Sequence, residues 1–122
     1  MKVVVCGSIS IRTLPPQFVR RLDNIVELDA TVLVGDAPGA DTAAQAELHS
    51  RGYRNVIVYH RGHAPRNNRG GWPTIQVAGS YTDRDRKMCA DADYGLALWN
   101  GTSPGTRRNI DQLGRRMAVV RT

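Results

Sequence analysis

The chain has 122 residues, 41% of them hydrophobic, with 17 basic against 11 acidic side chains and a formal charge of +6. That length builds one domain, 1–122, around a single core, and no apolar run approaches the roughly 20 residues of a membrane helix. The charge excludes an acidic protein and favours anionic partners, nucleotides or nucleic acid above all.

Met1-Lys2 leads straight into Val3-Val4-Val5, which leaves no room for a signal peptide, so a cytoplasmic protein is expected. Val3 to Cys6 reads as a first buried strand ending at Gly7-Ser8. A helix begins near Pro15 or Pro16, where proline is tolerated, and carries Phe18, Val19, Leu22, Ile25 and Val26 at helical spacing. Thr31 to Val34 is a second strand, apolar and β-branched, of the kind buried on both faces. It runs into the turn Gly35-Asp36-Ala37-Pro38-Gly39-Ala40-Asp41 and then an alanine-rich helix, Thr42 to Leu48, stopped by Gly52. A glycine turn between strand and helix presents free backbone N–H groups and the positive end of the helix dipole, a geometry suited to phosphate. Asp36 and Asp41 would repel phosphate there unless they cap the helix or bind sugar hydroxyls.

Asn55 to Tyr59 is the third strand. His60 to Tyr81 follows with no clear periodicity, broken by Gly62, Pro65, Gly70, Gly71, Pro73 and Gly79, and long enough for a binding loop. Its arginines and Trp72 suggest either a grip on phosphate and base or a surface loop whose Trp72 packs against the domain or a second subunit. Thr82 reads as an N-cap with Asp85 completing a capping box, and that helix runs to about Ala92. Tyr94 to Trp99 is the fourth strand, Asn100 to Gly105 a second glycine turn, Thr106 to Leu113 a helix ended by Gly114, and Met117 to Val120 the last strand. Trp99 either walls the site or packs in the core.

Strands alternating with helices define an α/β protein. The expectation is a Rossmann-like, doubly wound parallel sheet of about five strands in the order 3-2-1-4-5, with helices on both faces. Ligands of such sheets bind beyond the carboxyl ends of the strands where the order reverses, here between strands 1 and 4. Gly7-Ser8, Gly35 to Asp41 and Asn100 to Thr106 should converge there. Cys6 and Cys89 form no C-x-x-C pair and read as core residues of a reducing compartment. His60 and His63 have metal-compatible spacing but no completing ligands, so neither metal nor other cofactor is expected.

The Gly35 to Ala44 run is similar to the GGARGxDxxA loop of the DprA and YspA branches of the SLOG superfamily. Asp85-Arg86-Lys87-Met88, Ala92-Asp93 and Gly101-Thr102-Ser103-Pro104-Gly105-Thr106 resemble the RKxxM, "ADA" and PGGxGTxxE elements of its lonely-guy phosphoribohydrolases. The length and the Gly35 loop look closest to the stand-alone YspA-like branch. The resemblance implies that Gly35, Gly39, Gly101, Gly105 and Thr106 hold a phosphate, that Arg86 faces the ligand, and that the protein forms a homodimer. The wider candidate site then comprises Gly7, Ser8, Gly35, Asp36, Gly39, Ala40, Asp41, Arg86, Gly101, Thr102, Gly105 and Thr106. The glutamate that closes PGGxGTxxE is Asn109 here, which lacks a carboxylate for glycosidic cleavage. If hydrolysis occurs, Asp36, Asp41 or Asp83 must substitute. The expected function is recognition of a nucleotide or nucleotide-derived ligand. Hydrolysis of the N-glycosidic bond of nucleoside 5′-monophosphates is the first alternative, and single-stranded DNA binding, as in the DprA branch, is the second.

Overall fold

A computed structural model describes residues 1–122. The chain forms β1 (Lys2–Gly7), α1 (Pro16–Glu27), β2 (Thr31–Gly35), α2 (Ala40–Ser50), β3 (Val56–His60), β4 (Thr74–Gln76), α3 (Tyr81–Asp91), β5 (Tyr94–Trp99), α4 (Pro104–Leu113) and β6 (Met117–Arg121). All strands pair in parallel, in the order β4-β3-β2-β1-β5-β6. The side-chain period of two explains why apolar runs became strands. Val3 and Val5 of β1 face Phe18, Leu22 and Ile25 of α1 and Ala44 and Leu48 of α2. Val4 and Cys6 face Met88 and Cys89 of α3 and Leu113 of α4. Helices therefore cover both faces, and no helix is long and apolar enough to cross a membrane.

The sheet has six strands, which corrects the expected count of five and its order. The addition is β4, inside the 60–81 segment expected to lack regular structure; it pairs His60 with Gln76 at the sheet edge. Three residues are too few to show a period, so only tertiary pairing reveals them. The capping box of α3 is also displaced: Ser80 and Asp83 exchange hydrogen bonds of 3.2 and 2.8 Å, not Thr82 and Asp85. Both pairs have the same spacing, but Gly79, at φ 105°, turns the chain just before Ser80.

The 60–81 segment is pinned inward. Fully buried Gln45 accepts from the Arg69 N–H (2.9 Å) and donates to the carbonyls of Gly35 (2.9 Å) and Asn67 (3.1 Å). Trp72 is buried against the domain, its indole N–H donating to the Tyr53 carbonyl at 2.9 Å, while Asn68 clasps its backbone on both sides. The ring is thus a core plug rather than a stacking platform. Trp72→Ala should cost about 3–5 kcal/mol in urea unfolding, the range for a large buried aromatic; a loss within the scatter of surface substitutions would show that the segment packs loosely.

Candidate functional site

The chain order reverses between β1 and β5, and a cleft of about 200 Å³ opens beyond their carboxyl ends. Of the residues singled out in the sequence, Gly7, Asp41, Gly105 and Thr106 line it; Arg84, Asp85, Ser103 and Asn109 join them. Gly7 allows close packing, since a Cβ there would meet Ala40 and the Leu98 carbonyl. Ser8 lies behind the cleft and ties the turns together. Its N–H donates to the Leu98 carbonyl (2.9 Å), its hydroxyl accepts from Asn100 N–H (3.2 Å), and its carbonyl accepts from Ala40 N–H (3.2 Å).

The Gly35 turn is built around charge. Arg84 is buried on the inner face of α3, one turn before Met88. Its Nη1 donates to Asp36 Oδ1 at 2.6 Å, its Nη2 to Asp85 Oδ1 at 2.8 Å, and Asp41 Oδ2 lies 4.0 Å from Nη2. A side chain at Gly35 would collide with this guanidinium and with Asp41. Asp36 also accepts from the Arg66 backbone N–H (2.7 Å) and side chain (3.2 Å). Arg66 in turn stacks over Tyr81, 4.0 Å from the ring centroid. Burial opposes ionisation of Asp36, but the Arg66 contacts and the Arg84 charge outweigh it and hold its carboxyl below the usual range. Ala37 N–H donates to Asp41 Oδ2 (3.1 Å) and Ala40 N–H is taken by Ser8, so these two amides already have partners within the protein. Gly39, at φ 82°, packs where a Cβ would strike the Ile9 backbone.

The second glycine turn is arranged differently. Asn100 Oδ1 accepts from the N–H groups of Thr102 (2.9 Å) and Ser103 (2.8 Å), folding the turn on itself and leaving Thr102 exposed. Gly101 lies over the Arg121 guanidinium, outside the cleft. Trp99 supports the turn from beside the cleft, its indole N–H donating to the Ser103 carbonyl (3.1 Å) beneath Arg107 and Arg121. Ser103 precedes α4 without a side-chain cap and Pro104 has no N–H. The Gly105 and Thr106 amides at the start of α4 have no hydrogen-bond partner in the protein, and both residues line the cleft.

Arg86, the arginine expected to face the ligand, is exposed on α3 outside the cleft; Arg84 occupies the inner position. Asp83 caps α3 at the surface. Asp41 is the carboxyl that burial shifts upward, to about 7; Arg84 and the Ala37 N–H restrain the rise, and Asp85 and Asp36 add to it. Burial likewise raises both thiols, Cys89 to about 12. Comparison of the chain with protein-family models, with curated proteins and with solved structures returns no match.

Two outcomes follow from the charge cluster. Arg84→Met takes the buried cation from Asp36, Asp85 and Asp41, leaving Asp36 only its Arg66 contacts, and should cost about 3–5 kcal/mol, with a smaller combined loss in Arg84→Met/Asp36→Asn by denaturant titration. Asp41 has a folded value near 7 against 3.8 ordinarily, so the native state binds more protons in between, and stability falls as pH rises from about 4 to about 7. Asp41→Asn should remove this slope, up to on the order of 4 kcal/mol, when melting is followed across that range.

Proposed function

We propose that the chain binds a nucleotide or nucleotide-derived ligand at the β1/β5 crevice, as the SLOG superfamily it resembles would imply. The phosphate sits on the N-terminus of α4, and sugar hydroxyls meet Asp41 and Asp85. The observation that carries this reading is the pair of amides without a protein partner on Gly105 and Thr106, two residues that line the cleft where the strand order reverses. The carboxylates fit hydroxyl donors better than a second anion, which divides the cleft into a phosphate end and a sugar end. The Gly35 loop then serves the ligand mainly through Asp41.

Calorimetry with AMP, ribose 5-phosphate and adenosine tests this directly. The two phosphates should bind and adenosine should not. Gly105→Asp should abolish binding without loss of melting temperature, because an acid in the first turn suits the helix dipole while repelling phosphate, and a Cβ at Gly105 meets nothing closer than 3.8 Å. Absence of heat with either phosphate at millimolar concentration, or equal affinity for adenosine, would overturn the reading.

A second reading, N-glycosidic hydrolysis, draws on Asp41, whose value near 7 suits proton transfer at neutral pH. Asn109, at the position of the lonely-guy glutamate, lines the same cleft and supplies no carboxylate. Chromatography for adenine released from AMP decides it, with Asp41→Asn expected to stop release. Of the two roles open to Trp72, packing against the domain is the one its burial supports, so the single-stranded DNA alternative rests on the Gly35 loop and the +6 charge.

A further inference from the structure

The cleft continues into a polar groove of about 610 Å³ between α3 and α4, and the two share Asp85 and Asn109. Arg108 lines the groove, yet its side chain returns to the helix start. Side chains on a helix lean toward its N-terminus, so a residue three positions along covers the first turn. Arg108 Nη2 accordingly lies 3.8 Å from the place a Cβ on Gly105 would occupy, and no other element of the fold comes within 4 Å of that point. Glycine there leaves a space that the guanidinium borders, beside the amides that lack a protein partner.

Arg108 has no carboxylate within ion-pair distance. Its Nη2 donates only to Thr82 Oγ1, at a long 3.4 Å, and its Nε and Nη1 have no partner in the protein. The arginines around it are placed otherwise: Arg84 is engaged by Asp36 and Asp85, and Arg107 by Asp111. A second unmet group stands at the junction. Asn109 is 5% exposed and lines both cleft and groove, yet its amide has no oxygen or nitrogen partner in the protein, only the Cys6 thiol beside it. Buried amides ordinarily have their hydrogen bonds made, so this one points to a polar ligand independently of the helix start.

We infer that Arg108 is the side chain that completes the phosphate end of the cleft, gripping the phosphoryl oxygens that the Gly105 and Thr106 amides leave free. Asn109 bonds the ligand where cleft and groove meet. This inference rests on the phosphate end proposed for the cleft and adds the residue that reads the charge there. Two amides and the two N–H groups of a guanidinium fork offer four donors. A phosphate with one ester bond presents three free oxygens and close to two negative charges at pH 7; a diester presents two oxygens and one charge. Arg108 thus reads the third oxygen and the second charge. Arg86 lines the same groove from α3 but does not approach the Gly105 position.

Calorimetry at pH 7 with AMP and with its 5′-methyl ester, which lacks one free oxygen and one charge, tests the inference. AMP should bind the unaltered protein at least about tenfold tighter than the ester. Arg108→Ala should weaken AMP by about tenfold or more and bring the two ligands near parity, with the melting temperature unchanged because the side chain is exposed. Arg108→Lys, which keeps the charge and loses the fork, should recover part of the AMP affinity. Arg86→Ala should change AMP binding by no more than about twofold. Equal binding of AMP and ester by the unaltered protein overturns this inference alone. So does AMP affinity that survives Arg108→Ala, or an equal loss in Arg86→Ala, which marks an effect of general charge. Failure of both ligands to bind the unaltered protein removes the phosphate reading of the cleft, and this inference with it.

Discussion

The site depends on a buried guanidinium. Arg84 enters the interior from α3 and is met by Asp36 and Asp85, with Asp41 at 4.0 Å. Removing an ion from water costs several kcal/mol, and only close pairing with satisfied hydrogen bonds repays it. The sequence therefore has to place acids on more than one element around that arginine and keep the space at Gly35 free of a side chain. Asp36 then reaches outward to Arg66 and fastens the start of the 60–81 segment, while Gln45 fastens its middle. Such a cluster contributes little net stability, but it tolerates few alternative arrangements. It holds the β2–α2 turn, α3 and the long segment in one register.

That constraint separates two turns that look alike as strings of residues. Each follows a strand, contains two glycines and opens a helix. In the first, the Ala37 and Ala40 amides are consumed by Asp41 and Ser8, and the glycines serve close packing against Arg84 and Ile9. In the second, Asn100 organises the turn from within, and a proline at the start of α4 leaves the next two amides unpaired. The Asp41 and Thr42 amides of α2 are also without protein partners, but α2 carries the Asp41 carboxylate in its first turn, whereas the first turn of α4 has no acid to repel an anion.

The sheet strands were legible because burial on both faces leaves continuous apolar runs, as in Val3-Val4-Val5 and Val32-Leu33-Val34. β4 was not, because its exposed–intermediate–exposed triplet carries no such run. The choice between Arg84 and Arg86 turns on helical geometry. Arg84 lies four residues before Met88 and shares its buried face, whereas Arg86 sits two residues away on another side. Reading the arginine next to a motif lysine, rather than the one in phase with the apolar positions, selects the solvent side. Gln45 gave no signal at all, since a glutamine on an alanine-rich helix reads as surface until a loop supplies partners for both ends of its amide.

Asp41 joins the charge cluster to the cleft. Burial shifts its carboxyl upward, to about 7, and Arg84, 4.0 Å away and closer to Asp36 and Asp85, restrains the rise only in part. Neutral Asp41 donates as well as accepts a hydrogen bond and adds no charge beside a bound phosphate; ionised Asp41 accepts only and repels it. The same side chain thus governs how strongly the two ends of the cleft conflict. A fully ionised pair of acids would favour a neutral polyol and a fully neutral pair would favour a bare anion. One acid ion-paired with Arg84 and one whose carboxyl is raised to about 7 suit a ligand that carries hydroxyls and phosphate on the same sugar.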